Sequence, residues 1–299
     1  MLKNIQLHQT LNLLILFLLG KFFLGLQISY SFVFWLFVVG VVTEQIFVYF
    51  RGEKYLSFSG INSTFGVIFM IKSATFFVLA VSLFLGLLQK NIVKALPKKY
   101  KITSHIFNPS NFSVSVAYLL FSDLIYINTT QWSHNLWVSF LLLCMMIFIL
   151  FRTKQFILVF VFMVFMYVLS NFFITTSPYQ HILFFTSNSF ILFSGFMMSD
   201  PKTTPKNLIS MLLFAYSVSF IYVLLFTFLG NHEFNIFFAL TLTNFCYAIK
   251  FFIKDVWLWK KVVFLVLVVG SVTLYFSSYS IINQKMVTVQ ENMGILNAI

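Results

Sequence analysis

The sequence predicts an all-α polytopic membrane protein, a bundle of about ten or eleven transmembrane helices, some of them short or broken. Three observations carry this. Hydrophobic residues make up 60% of the chain and charged residues 9%, with a mean hydropathy of +0.95, whereas a soluble domain carries about 25% charged residues. Apolar runs follow one another with short polar breaks, and a helical span needs about 17–25 residues. With the N-terminus cytoplasmic, all but Lys21, Lys72 and Lys285 of the 19 basic residues fall on the inner face, as the positive-inside rule requires.

Taken in order, the spans read near 8–28, 31–50, 58–72, 74–89, 109–127, 136–151, 156–174, 182–199, 208–229, 235–252 and 261–279. No small-residue cleavage site follows the first run, so it is a retained span and not a signal peptide. A single long helix over 58–89 would put Arg51 and Lys54 on the face opposite the cluster Lys90–Lys101. Two crossings or a re-entrant hairpin are needed, which gives the count of eleven or ten. Gly60, Asn62, Ser63, Lys72 and Ser73 interrupt this stretch. Non-helical backbone at membrane depth is tolerated only when buried in protein or lining a cavity, and broken helices often mark a site. Short tilted helices are the plainer reading.

The 109–127 span opens with Asn108-Pro109. Proline lacks an N–H and fixes φ, so it suits the first helical position, and asparagine is a good N-cap. The 182–199 span closes on a second polar phrase, Ser199-Asp200-Pro201-Lys202-Thr203-Thr204-Pro205. Both phrases fall at inner ends of spans. We expect Asn108 and Asp200 to lie near one another and to cap helix starts, because polar termini in a membrane must be satisfied internally. The segments 90–104, 152–155, 201–207 and 252–260 are expected to be cytoplasmic loops. The outer loops contain no Lys or Arg, and Trp132 and Tyr179 there fit an interfacial aromatic belt. Residues 1–280 form one transmembrane domain, followed by a polar tail over 281–299.

The net charge of +12 follows from this topology and does not point to nucleic acid. Cys144 and Cys246 sit inside apolar runs without CxxC spacing or a histidine cluster, so they read as buried small hydrophobes, and no metal site is expected. His8, His105, His134, His181 and His232 fall at predicted membrane boundaries. No phosphate loop, HExxH or spaced nucleophile set is present, so nothing marks an enzyme acting alone. Two acids lie within predicted spans, and such residues are paired or lie on an ion route. Glu44 lies near the inner end of its span, with Lys21 or Lys72 as candidate partners, and Asp123 lies near the outer end of its own.

The two proline phrases resemble those of the RnfD/NqrB family, flavin-carrying membrane subunits of ion-pumping redox complexes. Members carry a phrase like H-x-F-N-P-A before one helix and F-x-x-T-D-P-x-T at the end of another. Here these read His105-Ile106-Phe107-Asn108-Pro109-Ser110 and Phe196-Met197-Met198-Ser199-Asp200-Pro201-Lys202-Thr203. The order and the predicted membrane location also agree, over roughly residues 50–250. Asn108–Phe112 followed by Gln131-Trp132 is similar to the shorter UnbU-like branch, named for enediyne biosynthesis clusters. The resemblance implies electron transfer coupled to ion movement, with redox or other membrane subunits as partners in the cytoplasmic membrane. It also implies FMN or riboflavin held near His105, Asn108, Pro109, Asn111, Asp200, Pro201, Thr203 and Thr204. Redox-pump members attach FMN to a threonine in a Ser/Gly-Ala-Thr phrase between the two motifs. That phrase is absent here, since Ser73-Ala74-Thr75 precedes the first motif and Thr129, Thr130, Thr175 and Thr176 lack the surrounding residues. Non-covalent flavin is therefore expected. A transporter, a channel or a membrane anchor on the same scaffold is the alternative, because a fold does not fix a function.

Overall fold

The computed structural model describes residues 5–23, 25–52, 58–95, 106–127, 136–173, 184–230 and 234–252. Within them the chain is helical apart from two short strands. The helices are α1 (Ile5–Phe22), α2 (Tyr30–Phe50), α3 (Ser59–Met70), α4 (Phe76–Ala95), α5 (Pro109–Phe121), α6 (Leu136–Thr153), α7 (Phe156–Phe173), α8 (Asn188–Leu192), α9 (Leu208–Leu229) and α10 (Asn235–Phe252). The strands are β1 (Ile71–Ser73) and β2 (Ile125–Ile127). Three helices, α2, α4 and α9, are long and apolar enough to cross a membrane. The span expected at 261–279 and the tail 281–299 lie outside the described residues.

Long helices alternate with short ones in a pattern that occurs twice. α1 packs on α3, α2 on α4 and α4 on α5; likewise α6 packs on α8, α7 on α9 and α9 on α10. Each set has five segments, an odd number, so the second set begins at the opposite end of the bundle and runs inverted with respect to the first. The two halves meet where α5 touches α10.

Both expected irregularities fall on the short members. The 58–89 stretch is not one long helix but α3 with β1, followed by α4. α3 has 12 residues, roughly 18 Å at 1.5 Å per residue, against about 30 Å of hydrocarbon. β1 follows α3 directly. The sequence expectation of a helix over 109–127 is corrected: α5 stops at Phe121, a 3-10 turn covers Ser122–Leu124, and β2 follows. β1 and β2 pair antiparallel, Ile71 opposite Ile127 and Ser73 opposite Ile125. Two short helices thus run into extended segments that satisfy each other's backbone groups, as a low-dielectric surrounding would demand. The expected continuous span at 182–199 is also broken: Ser187 caps α8, which runs into a π-helical turn over Phe193–Met197.

The exposed helix faces are apolar, and charged and amide side chains lie within an otherwise hydrophobic core. Phe34, Trp35, Phe140, Ile209, Leu213 and Phe228 are exposed, whereas Glu44, Lys90, Asn91, Asn111 and Ser113 are buried. A water-soluble protein keeps Lys and Glu almost entirely at its surface. Cys144 and Cys246, expected inside, are exposed on helix faces, because an apolar run does not say which of its faces turns inward.

Small residues bring the inner helices close. A Cβ on Gly60 of α3 would lie 2.5 Å from the Gly40 carbonyl oxygen of α2 and 3.0 Å from Glu44 Cβ. Such close backbone approach is how helices associate when the surrounding medium offers no hydrophobic drive.

Candidate functional site

The first motif builds the start of α5. Asn108 adopts an extended conformation and its Oδ1 accepts from Ser110 N at 3.0 Å and Asn111 N at 3.2 Å, with Pro109 at the first helical position. Two of the donors that every helix start leaves open are thereby satisfied. The same turn is seated on glycines: a Cβ at Gly66 of α3 or Gly86 of α4 would collide with Ser110 or Ser113.

The second motif follows the π-helical turn, where Ser199 Oγ donates to the Gly195 carbonyl. Asp200 Oδ1 accepts from Lys202 N at 3.0 Å, and its carbonyl accepts from Thr203 N and Thr204 N, both at 3.1 Å. The Thr204 hydroxyl donates to that same carbonyl at 2.7 Å. One expectation is corrected here. Asp200 organises a turn over 201–204, and the helix that follows is capped by Asn207, whose Oδ1 accepts from Ile209 N at 3.0 Å. Prolines at 201 and 205 delay the helix start until after the second of them.

The motifs meet, with Asn108 Nδ2 donating to Asp200 Oδ2 at 3.2 Å. Residues 92 positions apart thus join one half of the bundle to the other. Beside this contact lies a cavity of about 190 Å³. Asn108, Pro109, Ser110, Asp200, Pro201 and Lys202 form one side of it. α1 and α3 add His8, Asn12, Ser59, Asn62 and Ser63, and α6 adds Phe148 and Arg152. Deeper, Phe69, Met70, Leu192 and Phe196 make it apolar. The two broken helices, α3 and α8 with its π-turn, face each other across it.

Not every expected site residue is there. Asn111 is fully buried and donates to the Phe237 carbonyl at 3.1 Å and Thr241 Oγ1 at 2.7 Å in α10, so it ties the halves together and does not line the cavity. Thr203 and Thr204 hold their own turn. His105 lies outside the described residues, as do Thr129, Thr130, Thr175 and Thr176. Asp123 sits in the exposed 3-10 turn after α5, at the end of the bundle away from the cavity. The polar members missed by the sequence reading, His8, Asn12 and Arg152, come from helices distant in the chain. Their only signal was a polar letter at the margin of an apolar run.

Glu44 has a different partner from those expected. Its Oε2 accepts from Lys90 Nζ at 2.6 Å, both side chains being 0% exposed. Asn91 Nδ2 also donates to Glu44 Oε2, at 3.3 Å, and Lys90 Nζ donates to Ser59 Oγ at 2.7 Å. Lys21 and Lys72 are at the opposite end of the bundle. Lys21 donates to the Leu26 and Ile28 carbonyls and lies over the Tyr30 ring, and Lys72 donates to Gln27 Oε1 at 3.1 Å. Lys90 is corrected too: it belongs to α4 and to the core, not to a cytoplasmic loop. Removing an ammonium from water costs several kcal/mol, which the carboxylate offsets here.

The lining has groups that a flavin could use: Phe148 and Phe196 could border a planar ring, Asn62, Asn108 and Ser110 could hydrogen-bond its edge, and Arg152 with Lys202 could hold a phosphate. At about 190 Å³ the cavity is smaller than the roughly 300–1,000 Å³ of drug-sized ligand sites, so it would enclose only part of such a molecule. No family model matches the chain, and no curated protein matches it.

Proposed function

We propose that this chain is a multi-pass protein of the cytoplasmic membrane, similar to RnfD/NqrB subunits, that holds a flavin non-covalently for electron transfer coupled to ion movement. The observation that carries the reading is the Asn108–Asp200 hydrogen bond. Two phrases that carry the resemblance, far apart in the chain, form one wall of a single cavity. The apolar exterior and the charged and amide side chains buried within the core support the membrane part. Arg51, Arg152, Lys154, Lys202 and Lys206 sit at the cavity end of the bundle, which supports a cytoplasmic opening and a cytoplasmic N-terminus. Other redox or membrane subunits would supply and accept the electrons. A bound flavin would supply one- and two-electron chemistry, while the chain's own part would be to orient it: Arg152 and Lys202 would hold the phosphate of FMN, and Asn108 fixes the wall against which the ring would rest.

An absorption spectrum of protein purified in mild detergent tests this. A flavin band near one per chain is expected, or uptake of added FMN or riboflavin to that level. On a denaturing gel no fluorescence should remain, since the attachment phrase is missing. A colourless protein that takes up no flavin would refute the reading. It would favour transport instead, which the two broken helices facing a cavity between inverted halves also support.

A further inference from the structure

A buried pair of opposite charges is a poor way to gain stability, since apolar residues of similar volume serve as well or better. Glu44 and Lys90 are nevertheless both wholly buried, within the part of the chain read as membrane-embedded, where ionisable groups mark function. Their surroundings are not closed. Ser59, which accepts from Lys90 Nζ at 2.7 Å, also lines the cavity. On the other side Asn91 links Glu44 to Arg51, whose Nη1 donates to Asn91 Oδ1. One chain of polar contacts therefore runs from the Arg51 end of the bundle through the pair to the cavity wall.

We propose that Glu44, Lys90 and Ser59 form a proton-exchange site serving the cavity. A hydroxyl both accepts and donates, so Ser59 can pass its proton to a basic atom of a cavity ligand as its oxygen takes one from Lys90 Nζ. The O–H bond broken is replaced at the same oxygen, Lys90 becomes a neutral amine, and Glu44 remains a carboxylate. A proton from bulk water at the Arg51 end restores the ammonium. Asn91 Nδ2 stays on the Glu44 carboxylate through the step, with Arg51 one amide beyond it. From the other elements packed here, α3 presents only hydroxyls and amides, while His8, Arg152, Lys202 and Asp200 share the cavity beyond Ser59. The Gly40–Gly60 crossing holds the geometry, because it sets α2 and α3 close enough for Lys90 to reach both Glu44 and Ser59.

The identity of the ligand rests on the flavin reading, so the test has one arm without it. In protein carrying 15N-lysine in bilayers, the Lys90 Nζ resonance, assigned by its loss in E44M/K90M, should pass reversibly between ammonium and amine while the fold stays intact. A resonance that remains ammonium at every pH of the folded range overturns the proposal. The second arm adds riboflavin and follows the pH dependence of its midpoint potential. The dependence should flatten in E44M/K90M and in S59A, although S59A keeps the Lys90 titration. Bound riboflavin with the same pH dependence in all three proteins also overturns it. If riboflavin does not bind, the flavin reading fails and the resonance alone decides. E44M/K90M is used because removing both charges leaves none unpaired and should fold.

Discussion

Removing the Asn108 side chain should cost about 2–2.5 kcal/mol. The amide does two things in the structure. Its Oδ1 accepts from Ser110 N and Asn111 N, and loss of an N-cap costs roughly 1 kcal/mol, within a range of about 0.5–2. Its Nδ2 donates to the Asp200 carboxylate at 3.2 Å. Hydrogen bonds to charged groups contribute about 1.5–3 kcal/mol, and the long distance and partial exposure of Asp200 put this one at or below the low end, about 1–1.5. N108A should therefore lose both contributions, while N108S keeps a capping oxygen and loses only the second. The measurement is reversible unfolding in mixed micelles with rising SDS fraction, for wild type, N108A, N108S, D200A and N108A/D200A. The cycle should give a coupling of about 1 kcal/mol, above the roughly 0.5 kcal/mol expected of independent sites. If N108S falls as far as N108A, or the double mutant is additive, the link between the motifs does not carry the stability assigned to it.

Three further outcomes follow from the same contacts. E44A or K90A alone should each cost about 3–5 kcal/mol by leaving one buried charge unpaired, with E44M/K90M near the wild type; SDS unfolding of the three variants checks this, and a double mutant as weak as the singles would contradict it. G60A forces a methyl group against the Gly40 carbonyl oxygen and should cost about 1–3 kcal/mol, seen as a lower midpoint in the same assay, while G52A, with open space around it, should fail only through its left-handed backbone. Cysteines at Lys154 and Tyr126, both exposed, should label from opposite sides of a sealed membrane vesicle; labelling of both from one side would break the alternation of the ten helices.

The sequence by itself determined what depends on composition and local chemistry. Helical runs, their polar ends and the Asn108-Pro109 start were legible, because a proline without an N–H and a side chain able to cap leave few alternatives at that place. That 58–89 is not one long helix was legible from charge alone. Tertiary structure decided the rest. Glu44 has Lys90 as its partner because α2 and α4 run side by side with their matching ends together, whereas Lys21 and Lys72 lie at the far end, and no spacing in the chain encodes that. Asn111 and Asn108 share one motif yet turn to different neighbours, since consecutive helical positions point about 100° apart. α3 and α5 stop short because β1 and β2 can pair with each other, a long-range condition that neither segment contains. His8, Asn12 and Arg152 enter the cavity only because two inverted halves close around it, and a cavity belongs to the arrangement of helices rather than to any one of them.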